Sequence, residues 1–338
     1  MIPDPSLPKD SLVTISGANG FIASHISDLL LSLGYRVRGT VRDVDRAAWL
    51  SAHFSSQYGQ GRFSLVAVPD VANEGAFDDA LAGVDGAIHT IAVTNLDPDP
   101  DNVVPVNVAS TLGFARSANK AETVKRLVYT SSSGAAAIPK PGEKYVVNSE
   151  TYNEEAVAIA YSRQVKGPAG GYLAYSAAKT KAEQALWKWY AEEKPKFVLN
   201  SVVPNAALGK VLLPERQGFP TAVGLVKTLW EGRHGPELVH MVPPPRIHVA
   251  ALLFSDVQSE RLISYGGPFN LNSILATFRE AQPERAFPDD FPNTPEDIGE
   301  IHNERATELL KRLGRPGWTS LKDCLGPLVK QYAAAEKA

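Results

Sequence analysis

One cysteine, Cys324, and only two methionines stand in 338 residues. A lone thiol has no internal disulfide partner, which excludes a disulfide-stapled scaffold and makes a reducing cytoplasm the expected location. Charge of one sign is also missing: 34 basic against 37 acidic residues leave −3, too weak a field to draw in nucleic acid or an anionic membrane. No apolar run reaches the roughly 18 residues a membrane span needs. Segment 1–6 lacks a basic stretch ahead of an apolar one, so no secretory signal is expected. What is present, 44% apolar and 21% charged residues, is the composition of a globular protein whose length predicts about two domains.

Short apolar runs rich in β-branched residues recur at 12–15, 36–40, 63–68, 87–91, 126–130 and 197–203. Each has the length of a strand buried on both faces. Between them apolar residues fall three and four apart, as in Ile22, Ile26, Leu29, Leu30 and Leu33, a helix face ended by Gly34. This alternation predicts an α/β fold, a Rossmann-type doubly wound parallel sheet. After about Ala206 the rhythm fails as Pro214, Pro220, Pro236, Pro243, Pro244 and Pro245 crowd in. A loop-rich stretch is expected there, then one clear helix at 304–313 and a last amphipathic stretch at 321–332. The expected domains are 1–205, a nucleotide-binding unit to which about 246–265 returns, and 206–338, a smaller C-terminal unit that binds substrate.

The first strand runs into Gly17-Ala18-Asn19-Gly20-Phe21-Ile22-Ala23, which opens the first helix. Glycine permits the tight turn and lets backbone N–H groups approach a pyrophosphate at the positive helix end, so Gly17, Asn19, Gly20, Phe21 and Ile22 are candidate cofactor residues. The spacing G-x-x-G-x-x-A differs from the usual dinucleotide fingerprint, and its position after the first strand gives it weight. The second strand ends Gly39-Thr40-Val41-Arg42 with no acid before Asp43. An NAD site sets a carboxylate near this point; Arg42, a fork of donors suited to a 2′-phosphate, points to NADP(H) instead.

Tyr175-Ser176-Ala177-Ala178-Lys179 opens a long helical pattern and stacks Tyr175 over Lys179 at i, i+4. A free phenol titrates at about 10; an ammonium and an oxidised nicotinamide close by are expected to lower that value and fit the tyrosine for proton transfer. The fifth strand ends Thr130-Ser131-Ser132-Ser133, bringing hydroxyls to the sheet's carboxyl edge, where ligands bind in this architecture. Asn107, in the helix after the fourth strand, could fix a water or a backbone carbonyl, and is a fourth candidate beside Ser132, Tyr175 and Lys179. The seven histidines form no H-E-x-x-H pattern and have no cysteine partners, so no metal site is expected; His25, His89 and His248 read as packing or capping residues.

Together these segments resemble the extended short-chain dehydrogenase/reductases, in the group of dihydroflavonol and cinnamoyl-CoA reductases and the NADPH-dependent yeast and fungal carbonyl reductases. Also carrying the likeness are Ile138-Pro139-Lys140-Pro141, Val203-Pro204-Asn205 and Leu313-Gly314-Arg315-Pro316-Gly317-Trp318. The resemblance implies NADPH-dependent reduction of an aldehyde or ketone, with Tyr175 as acid, Ser132 polarising the carbonyl, Ser133 its possible substitute, and Lys179 on the nicotinamide ribose. It implies Asp70 and Val71 at the adenine, Ile91 and Ala92 beside the ribose and pyrophosphate, and Pro204 and Asn205 past the nicotinamide. Substrate is implied to border Val93, Thr94, Ser133 and Asn205. The family's partners are small carbonyl compounds, with no nucleic acid and no membrane, and its chains act as monomers or as homodimers through helices near 102–119 and 174–193. Ser16 stands where threonine is usual, and either hydroxyl could tether the turn. Val249-Ala250-Ala251 lacks an acid often found there, which puts a structural salt bridge in question. Two alternatives compete: a nucleotide-sugar epimerase or dehydratase with retained NAD, and an NADP-sensing regulator without turnover. Arg42 speaks against the first and the paired Tyr175 and Lys179 against the second.

Overall fold

The computed structural model describes residues 4–93, 95–233, 241–242, 246–292 and 294–337. Strands β1 (Leu12–Ile15), β2 (Arg36–Val41), β3 (Phe63–Ala67), β4 (Gly86–His89) and β5 (Arg126–Thr130) alternate with helices α1 (Phe21–Ser32), α2 (Ala48–Tyr58), α3 (Asp78–Leu81) and α4 (Pro100–Lys120). A short β6 (Val146–Val147), α5 (Glu154–Ser162) and the long α6 (Gly167–Glu193) lead to β7 (Val198–Pro204). Then come β8 (Ala206–Ala207), α7 (Pro214–Gln217), α8 (Thr221–Trp230), β9 (Met241–Val242), α9 (Arg246–Leu253) and β10 (Arg261–Ser264). The chain closes with α10 (Leu271–Ala281), β11 (Glu300–Ile301), α11 (Glu304–Arg312) and α12 (Leu321–Ala335).

Seven strands pair in parallel in the order β10-β7-β5-β4-β1-β2-β3. Parallel strands must be covered on both faces, which explains their unbroken apolar runs; β5 is buried at all five positions. Helices α1 and α9 pack together on the sheet, and α4 packs along α6. The order reverses between β1 and β4, so the crevice beyond the carboxyl ends of those strands is the expected ligand site. Helix α9 packs against the sheet's face and β10 forms its edge strand.

A second core lies in the C-terminal part, where Val223, Val226 and Trp230 of α8 meet Ile274, Leu275 and Phe278 of α10 and Leu325, Leu328 and Tyr332 of α12. The sequence reading expected one clear helix before the terminal stretch and missed α8, α9 and α10. Prolines misled it. Pro220 is the N-cap of α8 and Pro214 the first residue of α7, positions where proline costs no backbone bond. Helix α10 is started by an Asn270–Ser273 capping box, which lacks the usual glutamate or glutamine.

At the far end of the sheet, Arg126 donates to the carbonyls of Ala251, Leu252, Phe254 and Val257 at 2.6–3.3 Å. Carbonyls at and beyond the C-terminus of α9 thus receive the charge for which residues 249–251 hold no acid.

Candidate active site

The glycine turn is pinned from both sides. Ser16 Oγ accepts from the backbone N–H of Thr90 (2.8 Å) and Ile91 (3.3 Å) and pairs with His89 Nδ1 (2.9 Å), so the hydroxyl ties β1 to the exit of β4. On the β2 side, Thr40 accepts from Gly17 N at its Oγ1 (3.2 Å) and from Ala18 N at its carbonyl (2.9 Å). Gly17 has φ +65°, and a Cβ there would sit 2.9 Å from Ile91 Cγ1; at Gly39 a Cβ would come within 2.4 Å of the Ala18 Cβ. Both glycines let the turn lie close against its neighbours. Gly20 caps α1 without a side-chain acceptor, which leaves first-turn N–H groups for an anion.

Phe21 is buried in the C-terminal core and Ile22 is half-buried against both major cores. Their offer to a ligand is therefore the backbone at the start of α1. Asn19 is held by its carbonyl, which accepts from Gln217 Nε2 at 3.1 Å. Arg42 is exposed beyond β2, while Asp43 is engaged with Arg46. Exposed Asp70 closes a turn by accepting from Ala72 N, and Val71, Ile91, Ala92 and Pro204 are half-buried near strand ends. A left-handed glycine that excludes side chains, an uncapped helix start and a free-standing guanidinium fit a phosphorylated dinucleotide. Gly17→Ala is expected to weaken NADPH binding on the order of tenfold, because left-handed alanine costs about 1–2 kcal/mol; a fluorescence titration checks this, and unchanged affinity contradicts the assignment.

On α6, Tyr175 and Lys179 present one face toward the end of β5. Lys179 is buried; its Nζ donates to the Thr130 carbonyl (2.6 Å) and Tyr129 Oη (3.0 Å) and lies 4.5 Å from the Tyr129 ring centroid. Burial pulls this ammonium down to about 7, with the Glu183 charge opposing. Tyr175 is half-buried beside Ser132; burial pushes the phenol above its ordinary value, and the Ser132 hydroxyl opposes the rise. In the protein alone burial dominates, and the Lys179 ammonium is engaged by Thr130 and Tyr129.

Ser132 and Ser133 face different partners. Ser132 Oγ caps a short turn by accepting from Gly134 N (3.2 Å) and lies beside Tyr175, whereas Ser133 Oγ donates to Asn205 Oδ1 (3.2 Å) and lies near Tyr265. Asn205 Oδ1 also accepts from Ala206 N (2.7 Å). Asn107, expected among the catalytic groups, is buried and spent on backbone: its Oδ1 accepts from Val93 N (3.0 Å) and its Nδ2 donates to Val103 O (2.9 Å) and Val93 O (3.4 Å). Its side chain thereby ties α4 to the loop after β4. Thr94 lies outside the described residues. His89 is an aromatic packing residue, stacked on Phe114 at 4.6 Å and kept neutral by burial. Among the described residues no group of three metal-ligating side chains converges and no helix is long and apolar enough to cross a membrane.

Tyr129, Glu183 and Arg261 join the site without having been expected. Glu183 extends the Tyr175–Lys179 spacing by another four residues, a signal that was in the sequence; Arg261 comes from a distant strand and had none.

A glycine turn at the switch point of a doubly wound sheet, with serine, tyrosine and lysine at the neighbouring strand end, defines a dinucleotide-dependent oxidoreductase of the Rossmann type. The chain belongs to the 3-beta hydroxysteroid dehydrogenase/isomerase family, whose model matches residues 14–186, among the extended short-chain dehydrogenase/reductases. It is 36% identical over 337 residues to aldehyde reductase 2 of Sporidiobolus salmonicolor, covering 97% of this chain and 98% of that one. It is 34% identical over 325 residues to the NAD-dependent epimerase/dehydratase terH of Aspergillus terreus, covering 94% and 95%. Yeast methylglyoxal/isovaleraldehyde reductase Gre2, solved with NADPH, shares the fold at 24% identity and a TM-score of 0.81, over 96% of this chain and 99% of that chain.

Proposed function

We propose that the protein is an NADPH-dependent reductase of aldehydes and ketones, and that Ser132, Tyr175 and Lys179 carry the reaction. The supporting observation is the meeting of these three side chains at the end of β5, one strand from the switch point. NADPH, when bound, supplies the hydride. Tyr175 Oη donates a proton to the oxygen as it gains charge, and its raised pKa keeps that proton in place at neutral pH. Ser132 Oγ donates a hydrogen bond to the same oxygen. Lys179 holds positive charge behind the tyrosine and offers its remaining proton to the ribose hydroxyls.

Gly17, Asn19, Gly20, Phe21 and Ile22 would hold the pyrophosphate through backbone, Arg42 the 2′-phosphate, Asp70 and Val71 the adenine, and Ile91, Ala92, Pro204 and Asn205 the remaining length. Val93, Ser133 and Asn205 would border the substrate. In this reading 1–205 with 246–265 binds nucleotide and the rest of 206–338 shapes the substrate pocket. The second core among α8, α10 and α12 supports that division. A cytoplasmic monomer or homodimer, pairing through α4 and α6, completes the proposal; the single buried cysteine accords with a reducing compartment.

Loss of NADPH absorbance with a panel of aldehydes and ketones tests the reading, and no turnover of any of them refutes it. Arg42→Ala is expected to raise the KM for NADPH on the order of tenfold or more, the scale of a charged hydrogen bond, with little change for NADH. Equal KM changes for both cofactors would remove Arg42 from the site. The epimerase reading, carried by the terH name, requires turnover with no added NADPH and is opposed by an arginine where NAD enzymes set a carboxylate.

A further inference from the structure

Glu183 is fully buried one turn beyond Lys179. Its Oε2 accepts from Ser131 Oγ (2.5 Å) and Arg261 Nη2 (3.1 Å), and its Oε1 from Ser201 Oγ (2.6 Å) and Arg261 Nε (3.0 Å). Ser131 follows β5, Ser201 lies in β7 and Arg261 opens β10, so a single carboxylate ties α6 to three adjacent strands. Arg261 also donates Nη1 to the carbonyls of Asn148, Ser149 and Thr151 at 2.7–3.3 Å and stacks 4.2 Å from the Tyr152 ring centroid, fixing the loop before α5. Desolvation cancels much of the Coulombic gain of such a buried pair, so it is a poor source of stability. What it supplies is register. Ser131 sits between Thr130, whose carbonyl receives Lys179, and Ser132, which meets Tyr175.

Resting on the reductase reading, we propose that Glu183 and Arg261 are positioning residues whose ion pair clamps α6 to the end of β5, the middle of β7 and the start of β10, and so holds Ser132, Tyr175 and Lys179 on one carbonyl. A second consequence concerns charge. Facing Lys179 are Glu183 on α6, Tyr129 on β5 and His89 on β4, with Tyr175 one turn earlier on α6. Glu183 is the carboxylate among them and favours the ammonium. Neutralising it makes the lysine shed its proton at lower pH, and activity that needs the ammonium is then lost at lower pH.

The test uses Glu183→Gln, Glu183→Asp and Ser131→Ala in the full chain, the last removing one bond without stranding a charge. Glu183→Gln is expected to lower kcat about tenfold or more, the scale of a small misplacement, and to move the alkaline limb of the kcat profile to lower pH, with Glu183→Asp restoring part of both. Amide hydrogen exchange of 130–134 in the cofactor-free protein is expected to quicken on the order of tenfold, as a loosened strand end requires. Wild-type kcat with an unmoved limb overturns the proposal, as does a loss of kcat that follows Tm alone with the pH profile unchanged. If Glu183→Gln does not fold, Ser131→Ala decides: severalfold lower kcat with faster exchange supports the clamp, and wild-type values of both overturn it. Wild-type protein that consumes no NADPH with any carbonyl sinks the reductase reading instead, and the exchange measurement still judges the clamp.

Discussion

Phenylalanine in place of Tyr175 is expected to lower kcat for carbonyl reduction by about 10²–10⁴-fold, the usual contribution of a positioned proton donor. Tyr175 is half-buried beside Ser132 and against the Tyr172 ring, so the change removes one hydroxyl and leaves the ring contact and the backbone of α6 in place. NADPH affinity and Tm should therefore stay near their wild-type values. Steady-state kinetics beside a binding titration separates the two quantities. A variant that keeps wild-type turnover on every reducible carbonyl would show that the proton comes from elsewhere.

Lys179→Met is expected to cost about 10²-fold or more in kcat, comparable to losing a fixed charge at a reacting oxygen, without lowering Tm. The two effects part because the lysine is costly to bury. Its ammonium is pulled from the ordinary lysine value of 10.5 to about 7 by burial, and each unit of such a shift corresponds to about 1.4 kcal/mol against the charged form. That penalty is full below about 7 and fades as pH rises toward the unfolded value, so on this account the lysine destabilises the fold most at neutral and acid pH. Methionine fills the same space and removes the charge, offsetting the lost bonds to Tyr129 and Thr130. The catalytic sign is opposite. Reduction that needs the ammonium proceeds below about pH 7 and declines above it, whereas the residual activity of Lys179→Met should be flat through that range. A large fall in Tm at neutral pH would instead make the lysine a structural residue.

Much of this site could be read from residue order. The glycine turn after β1, Arg42 after β2, the serines ending β5 and the Tyr175–Lys179 spacing are local patterns, because each role is performed by a short segment whose geometry follows from a strand end or one helical turn. Asn107 was found by the same means: its position in α4 and its capacity to fix a backbone carbonyl were legible, whereas the partner it fixes, Val93, comes from a loop and was not. Spacing reveals the lysine near Tyr175 but not how much water burial removes from the phenol, which raises its pKa in the protein alone. Helices α8 and α10 were lost for another reason, since prolines near helix starts and a serine-based capping box look like loop signals in a linear reading.

By itself the chain's order of apolar runs and turns determined a doubly wound parallel sheet, a tight glycine turn at the start of the first helix and a tyrosine one helical turn from a lysine, since periodicity and backbone sterics act over a few residues. Only the folded molecule decided that Arg261, Ser201 and Ser131 converge on Glu183, that carbonyls around the end of α9 receive Arg126, and that Asn107 is held by backbone. Those contacts join segments between 14 and 131 residues apart, and packing, which no local pattern encodes, brings them together.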